Sequence, residues 1–254
     1  MLTVFEHRKE EPNGHHFLLQ HGRITHGLQF VDPQLQDWPT TYYGPDSGIG
    51  LAFKLFGEGP RRIGIVGLGT GTLAAYARPG DYLQFYEINP QVLSLAKTRF
   101  TYLNRCRGEY AVTIGDARLS LEKQPSQNFD LLALDAFNSD SIPIHLLTEE
   151  AFELYLRHLK PNGVIVVHTS NHFLDLELVV RGLARHLHLQ CAVIDHEANQ
   201  QQWWIYSSTW ILLSRDAHTL DNPVICSAAK SQSSQTRDIR VWTDDFSSLL
   251  PILR

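Results

Sequence analysis

The stretch RRIGIVGLGTGTLAAYARPGDYLQFYEINP, residues 61–90, contains the pattern that decides the fold. One apolar run ends in three closely spaced glycines, Gly67, Gly69 and Gly71, and a second apolar run ends in Glu87. Glycines at the carboxyl end of a parallel strand let the backbone approach a ligand closely, and the next helix presents free N–H groups. A carboxylate at the end of the second strand can accept hydrogen bonds from ribose hydroxyls. The stretch therefore predicts a nucleoside held at a strand end.

From Arg62 onward the chain alternates strand patterns with helix patterns. The run FDLLALDAF is almost entirely apolar, which is typical of a parallel strand covered on both faces. Strands that alternate with helices of roughly 10–15 residues indicate an α/β fold, with a mostly parallel sheet and helices on both faces. We expect a helix within residues 71–79, a helix between Thr148 as its cap and Gly163 past its end, and a last strand within residues 203–214.

Short apolar stretches separated by turn residues precede this alternation. Among them, Asn13 followed by Gly14 is a hairpin-type turn signal. We therefore predict a small N-terminal β-strand domain of two to four strands over residues 1–43. The α/β domain is expected to follow over residues 44–254.

The composition limits the classes of function. Apolar residues make up 43% and charged residues 19% of the 254 residues, which is enough for a sizeable core. The net charge of −5, with both signs spread along the chain, argues against a nucleic-acid partner. No apolar run approaches the ~20 residues of a membrane-spanning helix, and the charged start has no apolar signal-peptide core. We therefore expect a cytoplasmic protein without membrane or nucleic-acid partners.

Cysteines and histidines give little indication of a metal site. The three cysteines are far apart and form no CxxC pair, so neither a zinc knuckle nor a disulfide framework is indicated. His168 and His172 have the HxxxH spacing, but they fall where a predicted strand runs into a loop rather than on one helix face. We interpret most of the 13 histidines as surface or core polar residues and predict no bound metal.

The glycine turn favours an S-adenosylmethionine-type nucleoside over a dinucleotide. The dinucleotide fingerprint has glycine or alanine at its sixth position, where helix and strand pack closely, and Thr72 stands there instead. The GLGTG form resembles class I S-adenosylmethionine-dependent enzymes. Asp116, in IGDAR after the third strand, stands at the place where an acid faces the adenine amino group in that fold.

Two further acids follow the fourth strand of the α/β domain. Asp135 ends this strand, and Asp140 lies in the loop after it. Because the carboxyl ends of parallel strands meet at one edge of a sheet, we expect Asp135 close to Gly67, Glu87 and Asp116. A carboxylate that faces a cleft from a buried strand is a recurrent site arrangement, and the alternative is a helix cap or a salt bridge within a loop. We predict a functional Asp135 and regard Asp140 as a further candidate.

Several segments together resemble the spermidine synthase (polyamine aminopropyltransferase) family, and within it the bacterial spermidine-synthase-like proteins. The resemblance covers nearly the whole chain. It rests on HGRITHG (21–27), TTYYGPDSGIGLAF (40–53), GLGTGTLA (67–74), YEINP (86–90), GDAR (115–118), DAFNSDSIPIHLLT (135–148) and WTDDFSSLLPIL (242–253).

The resemblance implies a methyltransferase-like, Rossmann-type sheet behind an N-terminal β-hairpin domain, and a homodimer as a candidate assembly. It implies transfer of an aminopropyl group from decarboxylated S-adenosylmethionine to a small-molecule amine such as putrescine. Glu87 would hold the ribose, Asp116 and Ala117 would lie at the adenine, and Asp135 would orient the attacking amine and accept its proton. The implied cosubstrate-binding residues are Gly67, Gly69, Thr70, Gly71, Glu87, Asp116 and Ala117; the candidate substrate-binding residues are Tyr42, Tyr43, Asp46 and Asp140; and the catalytic residue is Asp135.

The chain departs from the family at the glycine turn and in the amine-binding segment. The family has GGGDGG with an aspartate near the aminopropyl end of the cosubstrate, and this chain has Thr70 there. That aspartate would repel the carboxylate of ordinary S-adenosylmethionine, so its loss removes one element of selectivity. Asp46 is the only acid left in YYGPDSG, and Asp244 and Asp245 are candidates to compensate. Two alternatives stay open: an S-adenosylmethionine-dependent methyltransferase of a small molecule, and a non-catalytic nucleoside-binding homologue.

Overall fold

In the described part of the chain the strands form two sheets, a small antiparallel one and a larger, mostly parallel one. The computed structural model describes residues 1–22, 24–136, 143–198, 200–231 and 237–254. The two sheets confirm the predicted α/β fold with a small β element ahead of it. The domain boundary after residue 43 stays a prediction.

The small sheet is formed by β1 (Leu2–His7), β2 (His16–His21) and β3 (Ile24–Phe30), in that order. Asn13 and Gly14 lie in the turn between β1 and β2, which is longer than a two-residue hairpin turn. The Phe30 ring meets Trp203 and Trp204 edge-on, with centroids 5.7 and 5.6 Å apart. These two tryptophans therefore pack on the small sheet, and this contact corrects the prediction that they belong to the last strand.

The larger sheet is formed by β4 (Arg62–Val66), β5 (Tyr82–Glu87), β6 (Glu109–Ile114), β7 (Phe129–Leu134), β8 (Leu159–His168), β9 (Gln190–His196) and β10 (Ser208–Ser214). The spatial order is β6–β5–β4–β7–β8–β10–β9. The first five strands in this order run parallel, whereas β10 is antiparallel to both β8 and β9. The chain winds outward from β4 in both directions, so a crevice forms at the carboxyl edge, where open α/β sheets bind ligands.

Helices cover both faces of the larger sheet. They are α1 (Gly48–Ala52), α2 (Pro90–Thr98), α3 (Ala117–Lys123), α4 (Glu149–His158), α5 (Leu176–His186), α6 (Ala217–Leu220) and α7 (Pro223–Ala228). Leu132 and Leu134 of β7 pack with α3, α4 and α5, and Leu131 and Ala133 pack on the other face with the remaining helices. This alternation is the two-residue period of a strand buried on both sides. Within the residues described, no helix combines the length and the apolar character needed to cross a membrane.

Two predicted helices are shorter than expected. Residues 71–79 contain only a 3₁₀ helix, Thr72–Tyr76, because Pro79 disfavours helical backbone at the residue before it. The helix expected to end near Gly163 ends at His158, and β8 begins at the next residue. Gly163 therefore lies inside a strand rather than past a helix end.

A buried ion pair connects the amino ends of β4 and β5. Asp81 lies just before β5, at the end of the strand opposite to Glu87. Arg61 donates from Nε to both Asp81 oxygens at 3.2 Å, and the N–H of Arg78 donates to Oδ2 at 2.7 Å. Burial by itself would raise the pKa of Asp81, but these donors lower it overall. Asp81 is thus a structural acid, away from the carboxyl edge.

Asp81→Asn should destabilise the protein by about 3–5 kcal/mol at pH 7, because it leaves the Arg61 guanidinium buried without its counter-charge. The folded pKa of Asp81 is lowered, so this contribution is present at neutral pH and is lost as the pH falls below ~3.9 and through the folded pKa. Urea unfolding of both proteins from pH 7 down to pH 3 measures the difference. Asp37→Asn, which removes an exposed pair with Arg105, is the matched control and should have little effect. Equal effects of the two substitutions would contradict the structural role of Asp81.

Candidate active site

A cavity of about 1230 Å³ opens at the carboxyl edge of the larger sheet. The ends of β4, β5, β6, β7 and β8 line it, and the small sheet contributes to the opposite wall. The expected convergence of strand ends is therefore present in the structure, at the place where the strand order reverses. The predicted site residues on its wall are Tyr42, Tyr43, Gly67, Gly69, Glu87, Asp116, Ala117 and Asp135.

The glycine turn after β4 lies very close to two other stretches of backbone. Gly67 has a φ of +99°, and a Cβ atom there would overlap the carbonyl oxygen of Asp135. Gly69 has a φ of +54°, and its Cβ would lie 2.6 Å from the carbonyl oxygen of His26 in β3. Both positions therefore require glycine. The turn lies between the end of β7 and the small sheet. We expected its glycines to let the backbone approach a ligand, but they also let it approach the protein's own backbone.

Glu87 connects the end of β5 to the glycine turn. Its Oε2 accepts the N–H of Leu68 at 3.0 Å, and its Oε1 accepts the N–H of Asn89 at 2.8 Å. Burial raises the pKa of Glu87, and these N–H groups act in the opposite direction without outweighing it. Each carboxylate oxygen has a second lone pair, so Glu87 still offers acceptors to hydroxyl groups of a molecule in the cavity.

Asp116 caps a helix and also lies on the cavity wall. Its Oδ1 accepts the N–H of Leu119 at 2.9 Å, and its Oδ2 lies 2.8 Å from Nε2 of His145. Burial by itself would raise the pKa of Asp116, but the hydrogen bonds from Leu119 and His145 lower it overall. Asp116 and Ala117 follow β6, the strand next to β5, so an adenosyl group along this edge would meet Glu87 and then this pair.

Two side chains hold the carboxylate of Asp135. Tyr43 donates its O–H to Oδ2 at 2.6 Å, and Nδ1 of His168 lies 2.8 Å from Oδ1. Burial, followed by the charge of Asp135, holds the pKa of Tyr43 well above its usual value, so Tyr43 remains a donor at neutral pH. The side chain of Asp135 is 12% exposed and lies on the cavity wall. The acid is thus oriented from behind and stays accessible from the cavity.

Aromatic rings form the wall beside Asp135. The Tyr42 ring centroid lies 5.5 Å from that of Tyr206 and 5.2 Å from that of His168. Burial, with smaller effects from Tyr206 and Asp135, raises the pKa of Tyr42 to about 12. Tyr42 is therefore neutral at pH 7, and its ring offers a surface that suits a cationic methylene chain.

Three of the predicted binding residues lie away from the cavity wall. Thr70 is only 1% exposed, its Oγ1 lies 2.8 Å from Oγ1 of Thr72, and its side chain packs beneath Gly27 of β3. Gly71 begins the 3₁₀ helix in a left-handed conformation. Asp46 precedes α1, and its side chain is 78% exposed. The side chains of Thr70 and Asp46 therefore point into the protein interior and into solvent, respectively.

The other candidate acids do not line the cavity in the part of the chain that the structure describes. Asp140 lies outside the described residues. Asp244 forms a two-pronged ion pair with Arg118 and accepts the O–H of Thr148 at 2.9 Å. These interactions connect the C-terminal segment to α3 and to the start of α4. Asp245 is exposed and is not among the described residues of the cavity wall.

His168 lines the cavity, whereas from the sequence we considered it only as a metal ligand. Its side chain is 5% exposed and stacks on Trp210, with centroids 4.3 Å apart and an interplanar angle of 11°. The sequence signal that could have identified it as a site residue is its place at the carboxyl end of β8. The same strand-end rule identified Asp135 at the end of the neighbouring strand β7. No group of three His, Cys, Asp or Glu side chains that could hold a metal ion occurs among the described residues.

The sheet order and the cavity at its carboxyl edge define a class I methyltransferase-like protein. Human methyltransferase-like protein 13 in complex with SAH has a TM-score of 0.50 to this structure and 20% identity, covering 70% of this chain and 85% of that chain. A probable spermidine synthase from Corynebacterium glutamicum has a TM-score of 0.64 and 18% identity, covering 84% of this chain and 76% of that one.

The sequence comparison gives a narrower similarity. The chain is similar to the polyamine aminopropyltransferase of Vibrio vulnificus, with 32% identity over 173 residues. The match covers 66% of this chain and 55% of that relative, so the chain spans about half the length of the curated protein that it matches. No family model matches the chain. The resemblance expected from the motifs is confirmed.

Gly67→Ala should lower the stability of the protein by about 1–3 kcal/mol, because an alanine at a φ of +99° is strained and its Cβ displaces the backbone of Asp135. Thermal unfolding followed by circular dichroism measures the change. Gly57→Ala is the matched control, since an added Cβ there meets no atom within 4 Å, and it should stay within about 0.5 kcal/mol of the wild type. A wild-type Tm for Gly67→Ala would contradict the close contact between the turn and β7.

Proposed function

We propose that the protein transfers an aminopropyl group from decarboxylated S-adenosylmethionine to the amine of a polyamine-type acceptor. The observation that supports this most is the carboxylate of Asp135, which Tyr43 and His168 orient and which opens onto the same cavity as Glu87 and Asp116. The similarity to a polyamine aminopropyltransferase over about two thirds of the chain supports the same class of reaction.

In this proposal the adenosyl group lies along the ends of β4, β5 and β6. Glu87 uses its remaining lone pairs to accept the ribose hydroxyls, and Asp116 with Ala117 faces the adenine. Gly67 and Gly69 line the same cavity as Asp135 and add no side chain to its wall. The reactive end of the cosubstrate therefore has a path to the acid at the end of β7.

Asp135 handles the proton of the acceptor amine. A primary ammonium has a pKa of ~10.4, so at neutral pH the amine arrives without a free lone pair. Asp135 binds the ammonium, orients its nitrogen and accepts a proton as the nitrogen attacks the carbon bonded to sulfur. The new C–N bond forms while the C–S bond breaks, and methylthioadenosine leaves with the electron pair. Tyr43 keeps its own proton because its pKa is raised, so it holds the carboxylate and does not compete for the proton.

The acceptor chain lies against the tyrosine rings beside Asp135. Tyr42 and Tyr206 meet at a near-perpendicular angle of 80° on the cavity wall. Such faces attract the positive ends of a polyamine and pack against its methylene groups. Tyr206 was not predicted from the sequence, and in this proposal it replaces Asp46 as a contact of the acceptor.

Methyl transfer to a small molecule is the second candidate function, and Thr70 is the observation that favours it. Thr70 is neutral and its side chain is buried under Gly27, so the turn presents no negative charge that would repel the carboxylate of ordinary S-adenosylmethionine. The proton chemistry of Asp135 does not separate the two transfers, since both need a deprotonated nucleophile beside the sulfonium. A protein that only binds the nucleoside would need no oriented acid there, which makes this third alternative weaker.

Calorimetry with the two cosubstrates side by side separates the first two functions. We expect decarboxylated S-adenosylmethionine to bind at least about tenfold more tightly than the carboxylated form, and methylthioadenosine to be released when putrescine or spermidine is added. Tight binding of the carboxylated form alone, with release of S-adenosylhomocysteine, would replace aminopropyl transfer by methyl transfer.

Asp135→Asn should lower kcat by about 10²–10⁴-fold, because the amide cannot accept the ammonium proton. The affinity for methylthioadenosine should change by less than about threefold, since the adenosyl contacts are made elsewhere. Asp130→Asn is a matched control on the same strand, where the carboxylate pairs with Lys160 at 2.7 Å instead of facing the cavity. Its kcat should stay near that of the wild type. Full turnover by Asp135→Asn would rule out the catalytic assignment.

A further inference from the structure

We propose that His168 is the positioning residue of Asp135, which donates its Nδ1–H to Oδ1 and fixes the plane of the carboxylate toward the acceptor amine. This inference rests on the proposed function. The first observation that supports it is the register of two adjacent strands. Leu134 of β7 pairs with Val167 of β8, so Asp135 and His168 are the next residues on two adjacent parallel strands. The two side chains meet at 2.8 Å directly beyond the ends of these strands.

The second step is the rigidity of the imidazole. His168 stacks flat on Trp210, which is fully buried and donates its indole N–H to the carbonyl oxygen of Tyr42 at 3.1 Å. Tyr42 in turn covers the imidazole, with centroids 5.2 Å apart. The imidazole therefore contacts two aromatic groups, and rotation about its χ angles would break the stacking on Trp210.

The third step is the identity of the protonated nitrogen. Nε2 of His168 lies 2.8 Å from Oγ of Ser170, and the same Oγ accepts the N–H of Thr209 at 2.8 Å. With Thr209 on one lone pair, Ser170 can donate its hydroxyl hydrogen to Nε2, which leaves the proton of a neutral imidazole on Nδ1. Nδ1 then donates to a carboxylate, the favourable partner for it. The opposite tautomer would bring two lone pairs together at Oδ1.

The consequence concerns the direction of the remaining lone pairs of Asp135. Tyr43 donates to Oδ2 and His168 to Oδ1, so both oxygens are held from the protein side. A carboxylate with two fixed donors cannot rotate about its χ2 angle, and its free lone pairs stay directed at the cavity. Effective attack needs the amine within a narrow range of position and angle, which a rotating carboxylate does not provide.

The order Ser170–His168–Asp135 resembles a serine-hydrolase triad, but the acid lies on the cavity wall and the serine accepts a backbone N–H. In such a triad the acid lies behind the histidine and the serine faces the substrate. Here Asp135 and Ser170 both lie on the cavity wall, so the acid itself is open to the cavity. Ser170 is also occupied by the N–H of Thr209. In this arrangement Asp135 can meet the acceptor amine directly, and Ser170 fixes the tautomer of His168.

Two substitutions separate the hydrogen bond from the shape of the ring. His168→Phe keeps a flat ring against Trp210 and loses the donor, whereas His168→Asn places an amide N–H near the former Nδ1. We expect kcat to fall about 100-fold in His168→Phe and the asparagine variant to regain about tenfold of that loss. The KM of the sulfonium cosubstrate should change by less than about twofold in both variants. A merely structural role would instead lower the folded fraction without a split between kcat and this KM.

His158→Asn is the matched control for replacing a buried histidine. His158 is fully buried at the end of α4, its Nδ1 accepts the N–H of Gln127 at 3.3 Å, and it does not line the cavity. Its variant should keep the wild-type kcat at temperatures where it is folded. Wild-type kcat in His168→Phe, or an asparagine variant no better than the phenylalanine one, would overturn the positioning role.

Nitrogen-15 NMR of the histidines in the substrate-free protein gives a test that does not depend on turnover. His168 is assigned by the signal missing from His168→Asn, and we expect a protonated Nδ1 whose shift changes in Asp135→Asn. A protonated Nε2 with a bare Nδ1 would overturn the inference. If the wild type transfers no aminopropyl group while Nδ1 is protonated, the proposed function fails and the contact stands. If the wild type is active and His168→Phe keeps its kcat, the positioning role fails and the function stands.

Discussion

The rest of the site depends on the contact between the glycine turn and the backbone of Asp135. Asp135 donates its N–H to the carbonyl oxygen of Val66 at 2.9 Å, and Gly67 donates its N–H to that of Tyr86 at 2.8 Å. The sheet hydrogen bonds thus continue one residue past the ends of β4 and β7. Because Gly67 has no side chain, these ends stay in register and the next side chains emerge at one level. A shift of one residue in any of the strands would turn its acid away from the cavity.

This constraint explains which parts of the site the sequence could predict. Glu87, Asp116 and Asp135 each follow an apolar run, and parallel strands bring such positions to one edge whatever their separation along the chain. His168 obeys the same rule, but its HxxxH spacing drew attention to metal binding, and the neighbouring position of β7 and β8 is known only from the strand order. Thr70 was assigned by its place inside a motif, and a motif does not say which way a side chain points.

The small sheet was the least predictable contribution to the site. Its three strands were expected, but their contact with the glycine turn joins residues about forty positions apart in sequence, such as Gly27 and Thr70 or His26 and Gly69. No periodicity or turn signal carries information of that kind, because it arises from two surfaces fitting together. Trp203 shows a second limit of sequence-based prediction. Its aromatic side chain has a high strand propensity, but it packs against the small sheet from outside a strand.

The packing of the small sheet also bears on selectivity for the cosubstrate. An aspartate in place of Thr70 would lie under Gly27 and beside the hydroxyl of Thr72, where the side chain is only 1% exposed and burying a charge is costly. The tight contact between Gly27 and the turn therefore disfavours an acid at this position in this chain. Discrimination against a carboxylated cosubstrate then falls to the negative charge nearest the reacting carbon, which in our proposal is Asp135. In the proposed function, the two donors that hold this carboxylate would serve selectivity as well as catalysis, since a fixed charge repels a carboxylate more consistently than one that can rotate away.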